Sequence, residues 1–344
     1  MLFLLLTTLL TACAQQGVVK VPRRFFWPPE PDEPRVEWIA TYFGDLDIKE
    51  KSFMSEFIGD DTSVTLQRPI SVAGDGEGCF VVADQETGIV SMFNLNKKNV
   101  FPFGGAVGAA DFRKPSGVAV DGEGNFYVAD GSTRKVFVVN RENSLLRVLD
   151  LSEHVRTIGA LAVDRVRGDL VIPDAKGGKV LYFSLTGELR RTLEGKGYFS
   201  FPNAVAVASD GTLLIADSFN AVILRFSAEG KYLSSIGKRG DSPGDLALVT
   251  GVAVDSEGHI YATDGRLHNV TLFDKDGNTL LVVGGQHSIA TGNIGRGGFQ
   301  VPQGISIDKN DRIYVADSFN RRVQVFQYLT KRYLNEHPIL QPKP

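Results

Sequence analysis

The chain has 344 residues, of which 43% are hydrophobic, and it carries a formal net charge of −3. A chain of this length and composition can bury a substantial apolar core without disulfide support. It contains no block of Lys and Arg, so the composition argues against a nucleic-acid binder, whose affinity depends on clustered cations that face phosphates.

The first element in chain order is an apolar signal segment, residues 1–13, which is too short to span a bilayer. Its end, Leu10-Thr11-Ala12-Cys13, resembles the bacterial lipobox, and this implies that Cys13 carries a lipid anchor. In bacteria with an outer membrane, the residue after the lipidated Cys affects sorting, and Ala14 looks like one that permits sorting to the outer membrane. We therefore expect a lipid-anchored protein of the cell envelope, on the periplasmic face of the outer membrane. An ordinary signal peptide with a chance Cys is the alternative, and because no Lys or Arg precedes the apolar run, the true start could lie upstream.

Residues 14–35 are rich in proline, which favours extended backbone and predicts a semi-rigid stalk between anchor and domain. Within it, the aromatic run Phe25-Phe26-Trp27 is expected to pack on the domain, or alternatively to contact a partner or lipid headgroups. The only other cysteine, Cys79, lies in a strand pattern and is expected to be an inert, half-buried thiol.

Six copies of one repeat occupy residues 36–328. In the clearest copy, a strand of small and β-branched residues (117–120) leads through a tight turn to a second strand (126–129) that ends at Asp130. Two further strands follow, which is the pattern of a four-stranded propeller blade. The six copies run from Pro69 to Asp84, Pro115 to Asp130, Ile158 to Asp174, Pro202 to Asp217, Val249 to Asp264 and Pro302 to Asp317.

These copies predict an all-β domain, a six-bladed β-propeller of four-stranded antiparallel blades. The sixth repeat lacks an obvious fourth strand, and residues 36–44 have the pattern of one. We predict that this N-terminal strand completes the last blade and so removes an exposed edge. Residues 329–344 form a C-terminal tail, in which residues 330–336 could make a short helix that ends before Pro338.

The repeat frame, with Pro-X-Gly-Val-Ala-Val-Asp at its start and Asp-Ser-Phe-Asn at its end, resembles the NHL repeat within the TolB-like class of six-bladed propellers. Asp217 to Asn220 and Asp317 to Asn320 match its closing turn. The resemblance covers residues 36–328 and implies the fold, but NHL-type propellers serve many functions.

Strand direction assigns the loops to two faces. The turns after second strands and the connections between blades lie on one face, here called the loop face; the hairpins between first and second strands lie on the other, the hairpin face. Loops on a rigid scaffold concentrate function, so a partner-binding rim is predicted on the loop face. An ordinary solvated surface is the alternative. The candidate rim residues are Gln85, Arg134, Lys176, Phe219, Asn220, Arg266, His268, Phe319, Asn320 and Arg321, and the pair Arg321-Arg322 beside Phe319 is the most suggestive cluster.

The aspartate that closes each frame is expected to bond turn amides rather than to hold a metal ion. The residue after each frame's first position is predicted to line the channel mouth, and the polar members of this set are Ser116, Asn203, Thr250 and Gln303. Peptidylglycine amidating lyases, whose propeller is similar in repeat layout, place zinc-binding His at this position, and this chain has none there. No metal site or catalytic residue is therefore predicted.

The resulting functional hypothesis is a membrane-tethered, non-catalytic propeller that docks an envelope protein or small ligand through its loop face, without a cofactor. The alternative is a propeller enzyme of lyase or lactonase type, with Ca²⁺ or Zn²⁺ in the channel. RNA binding, known for NHL relatives, is disfavoured by the signal segment and the acidic charge balance.

Overall fold

The computed structural model describes residues 24–49, 64–103, 112–287, 292 and 295–339. The predicted lipidation site, Cys13, and residues 14–23 of the predicted stalk lie outside this part of the chain. Within it, no helix is long and apolar enough to cross a bilayer.

Six antiparallel sheets are arranged as the six blades of a propeller, which confirms the predicted fold. In each blade the first strand is innermost. It pairs with the second strand, the second pairs with the third, and the third pairs with the fourth. The strands of blades 1 to 3 are β3 (Pro69–Gly74), β4 (Cys79–Asp84), β5 (Val90–Asn94), β6 (Asn99–Pro102); β7 (Pro115–Val120), β8 (Phe126–Asp130), β9 (Lys135–Val139), β10 (Leu145–Asp150); and β11 (Ala162–Asp164), β12 (Asp169–Asp174), β13 (Lys179–Ser184), β14 (Leu189–Glu194).

The remaining strands form blades 4 to 6 and the closure of the ring. They are β15 (Pro202–Val207), β16 (Leu213–Asp217), β17 (Val222–Phe226), β18 (Tyr232–Ile236); β19 (Val249–Val254), β20 (Ile260–Asp264), β21 (Asn269–Phe273), β22 (Thr279–Gly284); and β23 (Pro302–Ile307), β24 (Arg312–Asp317), β25 (Arg322–Tyr328), joined by β1 (Phe25–Trp27) and β2 (Val36–Tyr42).

Strand β2 completes the sixth blade, as the sequence predicts. It pairs antiparallel with β25, with Val36 opposite Tyr328 and Tyr42 opposite Val323. An N-terminal strand is thus hydrogen-bonded to the last described strand, which closes the ring of blades.

The aromatic run at residues 25–27 forms an unpredicted fifth strand, β1, outside β2. The Trp27 ring lies edge-on to Phe326, with ring centroids 5.8 Å apart. The guanidinium of Arg296 stacks over the rings of Phe25 and Trp38, at 4.2 and 4.8 Å from their centroids. The described part of the predicted stalk therefore packs on the sixth blade, because its aromatic side chains can bury area there.

The C-terminal helix α1 (Lys331–Glu336) begins at Thr330, whose side chain accepts a hydrogen bond from the Tyr333 amide at 3.1 Å. The Tyr333 hydroxyl of this helix donates to the Glu37 carboxylate. The same carboxylate also accepts hydrogen bonds from Nε and Nη2 of Arg24, each at 2.6 Å. The predicted helix is present, and its Tyr333 joins it to Glu37 of β2 in the last blade.

Small residues in the innermost strands allow the blades to approach closely at the centre. A Cβ on Gly117 would lie 2.8 Å from the carbonyl oxygen of Gly159 in the next blade, and one on Gly251 would lie 2.8 Å from that of Gln303. Larger apolar side chains fill the spaces farther out, where Phe80 stacks on Phe93 with ring centroids 4.6 Å apart. Full burial of such a side chain stabilises the fold by about 1.5–3 kcal/mol.

Candidate functional site

The six aspartates that close the second strands are buried, each 3% exposed or less. In blade 2, Asp130 Oδ2 accepts hydrogen bonds from the amides of Arg113 and Lys114 at 2.7 and 2.9 Å, and Oδ1 accepts from those of Ser132 and Thr133 at 2.9 and 2.8 Å. Burial raises the pKa of Asp130, but these amide bonds outweigh it and hold the pKa below its ordinary value. Each carboxylate thus joins the connection before its blade to the turn within it.

The same arrangement recurs in blades 1, 3, 4 and 5, whereas Asp317 of blade 6 accepts, in the described part of the chain, one backbone amide, that of Gln300. In blade 5, Asp264 accepts from the amides of Ala247, Leu248, Arg266 and Leu267 at 2.7–3.0 Å. The expectation that these carboxylates have a structural role is confirmed. Their oxygens already have donors, so no carboxylate ring is available for a metal ion.

The sixth blade adds a buried ion pair to this arrangement. Arg322 Nε lies 2.7 Å from Asp317 Oδ2, and its Nη2 donates to the carbonyl oxygens of Gly295 and Gly298. Arg322 is 3% exposed, so it is unavailable to a partner, contrary to its proposed place beside Phe319.

A second correction concerns Asn320, which was predicted on the rim. Its side chain is fully buried and donates to the His287 carbonyl oxygen at 2.7 Å and to Asp317 at 3.0 Å. The equivalent Asn220 is exposed, and its amide donates to the Tyr198 carbonyl oxygen at 3.1 Å. The two copies differ because a longer connection covers the sixth blade's turn.

Two phenylalanines on this face are exposed: Phe219 by 59% and Phe319 by 48%. Phe219 stacks on Phe201 with ring centroids 4.5 Å apart, and the Arg68 guanidinium lies 5.3 Å from the Phe319 ring centroid. These contacts hold both rings in position without covering them, as is typical of interface anchors.

We define the inner rim as the turns after the second strands together with the two residues before each repeat frame; the frames begin at Pro69, Pro115, Ile158, Pro202, Val249 and Pro302. It carries eight cationic side chains and one acidic side chain, Glu86. The cations are Arg68, Arg113, Lys114, Arg134, Arg156, Lys176, Arg266 and Arg321; the first and fourth are half-buried and the other six are exposed. Four of them, Arg68, Arg113, Lys114 and Arg156, were missed from sequence, although their shared position just before each frame is a usable signal.

The other predicted rim residues are less available. Gln85 and His268 are half-buried, and His268 Nδ1 accepts a hydrogen bond from the Val301 amide at 3.0 Å. Burial lowers the pKa of His268, so its ring is neutral near neutral pH and does not add to the rim's positive charge.

The predicted channel-mouth residues form bonds between blades. Asn203 Nδ2 donates to the Thr250 carbonyl oxygen at 3.0 Å, and Thr250 Oγ1 donates to that of Pro302 at 2.8 Å. The Gln303 carbonyl oxygen accepts from Thr263 Oγ1. These residues and Ser116 lie outside the channel cavity described next.

A cavity of about 350 Å³ lies in the central channel at the hairpin face, opposite the face where the binding site was predicted. Its walls are the middle and last residues of the innermost strands, which are almost all aliphatic. Arg165, Ser256 and Lys309 lie among the hairpin residues at its rim. Sequence reasoning did not find this cavity, because its width depends on how six blades meet.

Within the described residues, no three His, Cys, Asp or Glu side chains are grouped so as to hold a metal ion. His287 Nδ1 accepts from the Gly295 amide at 3.1 Å, and the His154 ring lies 5.8 Å from that of Phe183. Cys79 is 5% exposed, which is more buried than predicted, and burial raises its pKa to about 11, which disfavours the reactive thiolate.

Comparison with known proteins agrees with this architecture. A family model described as "NHL repeat" matches residues 299–326, and one described as "6-bladed beta-propeller" matches residues 199–282. The chain is a six-bladed β-propeller that contains an NHL repeat. The propeller is 30% identical over 138 residues to a probable peptidyl-alpha-hydroxyglycine alpha-amidating lyase of Caenorhabditis elegans, over 38% of each chain. It is 27% identical over 153 residues to the brain tumor protein of Drosophila melanogaster, over 44% of the propeller chain and 13% of that protein.

The propeller thus spans well under half the length of these curated relatives. Among solved structures, it resembles a Bacteroides thetaiotaomicron protein of unknown function, with a TM-score of 0.60 and 17% identity over 78% of this chain and 71% of that one. It also resembles a streptogramin B lyase, with a TM-score of 0.57 and 12% identity over 77% and 95% of the two chains. A virginiamycin B lyase from Staphylococcus aureus, solved with quinupristin, has a TM-score of 0.56 and 13% identity over 76% and 95%. At these identities the likeness concerns the fold alone.

Proposed function

We propose that this propeller is a non-catalytic binding module, tethered to the envelope by lipid at Cys13, which docks an acidic protein surface through its loop face. The observation that carries the proposal is the inner rim, where eight cations and one acid surround two exposed phenylalanines on a chain of net charge −3. A concentrated positive field of this kind speeds association with an acidic partner and orients it.

The architecture of the rim supports this role. The backbone amides of the rim residues bind the buried carboxylates, so the loops are fixed before a partner arrives. Six of the eight cationic side chains are exposed and can contact a partner, and a preformed surface loses little conformational entropy on binding.

The test is a crosslinking capture from native membranes, which compares the intact propeller with the triple variant Phe219→Ala, Phe319→Ala, Arg321→Ala. We expect a specific protein to be crosslinked by the intact chain and lost from the variant by at least about tenfold, because exposed aromatic and Arg residues are the usual anchors of an interface. Capture should weaken as salt is raised.

The matched control carries the same number of changes on the hairpin face, Val166→Ala, Arg167→Ala, Lys275→Ala, and should capture the partner unchanged. If both triple variants capture the same proteins as the intact chain, the loop face is not the docking surface. Replacing Cys13 by Ser should release the protein from the membrane; a variant that stays membrane-bound contradicts the anchor.

The second candidate function is a lyase, favoured by the similarity to an amidating lyase and to streptogramin-type lyases. Metal analysis of the purified protein, together with assays on a peptidyl-α-hydroxyglycine and on a streptogramin B, tests it. Stoichiometric Zn²⁺ or Ca²⁺ with turnover that a chelator removes supports the lyase. Metal-free protein without turnover supports the binding module.

A further inference from the structure

The channel cavity at the hairpin face has a wall of unusual uniformity. In five of the six blades, three successive residues of the innermost strand line it, so it is roughly 10 Å deep at about 3.3 Å per residue. The middle level consists of five alanines and one serine: Ala73, Ala119, Ala162, Ala206, Ala253 and Ser306. These small side chains leave an open lumen where larger ones would fill it.

The level nearest the hairpin face consists of branched aliphatic side chains in five blades: Val120, Val163, Val207, Val254 and Ile307. The sixth position is Gly74, where the Tyr314 ring occupies the space that a Cβ would need. Four of the five branched side chains are only partly buried, so the opening presents apolar surface to water. Covering this surface with an apolar ligand is favourable, because it removes apolar area from water.

One polar atom in this wall has no partner. The Ser306 hydroxyl is buried and makes no hydrogen bond within the described residues. The two carboxylates on the lining are, in contrast, satisfied: Asp255 and Asp308 each accept two backbone amides and a tyrosine hydroxyl. Their hydrogen bonds are therefore satisfied without a ligand cation.

The rim of the cavity carries two cations, Arg165 and Lys309, which differ in how they are paired. Arg165 is exposed, its Nη2 donates to the Val120 carbonyl oxygen at 3.4 Å, and it makes no ion pair within the described part of the chain. The other rim cation, Lys309, is paired with Glu77. An anion at the opening would thus meet Arg165 first.

From these contacts we propose that the channel binds a small aliphatic carboxylate, with its chain between the alanine and valine levels and its carboxylate beside Arg165. The cavity volume of about 350 Å³ lies at the lower end of the roughly 300–1,000 Å³ typical of ligand sites. The ligand is therefore a single short chain. This site is separate from the loop face, so its failure leaves the docking proposal standing.

The probe is decanoate, added to the full chain carrying Cys13→Ser so that no detergent is needed. Methyl-labelled NMR spectra report where it binds. We expect chemical shifts to change for Val120, Val207, Val254 and Ile307, while the exposed leucines of the outer strands, such as Leu145 and Leu189, stay unchanged. Shifts confined to the outer leucines, or no shifts at millimolar decanoate, overturn the proposal.

Two variants separate the chain site from the carboxylate site. Val207→Phe narrows the opening and should abolish binding; if it does not fold, the shift map of the parent protein still decides. Arg165→Gln should weaken decanoate about fivefold, as expected for one partly exposed ion pair, and leave the neutral analogue decanol unchanged. The matched control is Arg167→Gln, on the same hairpin but outside the lining. Equal decanoate affinity in the two Gln variants overturns the role of Arg165.

Discussion

At the loop face, exposed cations stand above buried carboxylates, whereas at the hairpin face aliphatic side chains surround an open cavity. Both faces are built from the same strands, and the difference lies in what each end of a strand must satisfy. The loop face has long connections whose amides need acceptors, and a buried aspartate in every blade supplies them. Because backbone amides hold those connections in place, their side chains are not needed for this and can contact a partner.

The hairpin face has short turns and therefore fewer backbone amides that need acceptors. Its tight turns are held by aspartates that accept turn amides, and in three blades a tyrosine of the second strand adds a bond, from Tyr127 to Asp121, Tyr261 to Asp255 and Tyr314 to Asp308. No side chain is needed to plug the centre, so the channel stays open there. One face is therefore expected to recognise charge and the other apolar shape.

The largest effect is expected when two adjacent arginines of the loop face, one buried and one exposed, are each replaced by leucine. Arg322→Leu leaves Asp317 buried without its cation, and we expect it to lower the free energy of unfolding by about 3–5 kcal/mol. Arg321→Leu removes an exposed side chain and should change it by less than about 0.5 kcal/mol. Urea unfolding measures both. Similar losses for the two variants would show that burial does not separate scaffold from surface on this face.

Removal of a closing aspartate should have the next largest effect. Asp130→Ala leaves four amides without acceptors, and we expect a loss of about 2–4 kcal/mol at neutral pH. Because the pKa of Asp130 is lowered in the folded protein, its contribution is present above the unfolded pKa and is lost as the pH falls through the folded pKa. The difference between the parent and the variant should therefore shrink in acid.

The control for this experiment is Asp241→Ala, which removes an exposed loop-face carboxylate. Its unfolding midpoint in urea should match that of the parent at every pH. If the difference in stability between Asp130→Ala and the parent persists at the lowest pH, the stabilisation does not come from the ionised Asp130 carboxylate.

On the hairpin face, Tyr314→Phe tests whether the tyrosine bonds matter. Asp308 loses one of its three donors and keeps two turn amides, so we expect a smaller loss, about 1–2 kcal/mol, in the same urea assay. Tyr198→Phe, which alters an exposed tyrosine, is the matched control. A loss in Tyr314→Phe as large as that of Asp130→Ala would make the two faces equally dependent on buried carboxylates.

The smallest expected effect concerns His259. The hydrogen bond with Asp255, 3.0 Å long, raises the pKa of His259 against the opposing effect of burial. A raised pKa stabilises the fold below the unfolded pKa, and this stabilisation is lost as the pH rises through the folded pKa. His259→Gln should flatten a small decline in stability between about pH 6 and 8. Thermal unfolding across this range checks it, and an unchanged slope contradicts it.

The sequence predicted most of the fold because each repeat carries its own strand pattern and turn residues. The same reasoning found the closing strand at residues 36–44 and the structural role of the aspartates. It failed at Asn320 and Arg322, which look like surface residues in the repeat frame and are buried by a connection longer than in the other blades. At residues 25–27 it predicted that the aromatic side chains pack on the domain, which the structure shows, but not that they form a fifth strand.

What the sequence alone determined is everything that repeats: blade number, strand order, the turns and the carboxylates that hold them. These follow from local hydrophobic alternation and turn chemistry, which act within about 50 residues of chain. Only the tertiary structure decided which loop residues are exposed, that eight cations share one rim, and that the channel opens at the hairpin face. Those properties depend on distances between blades, and no local pattern encodes the width of a channel that six separate segments enclose.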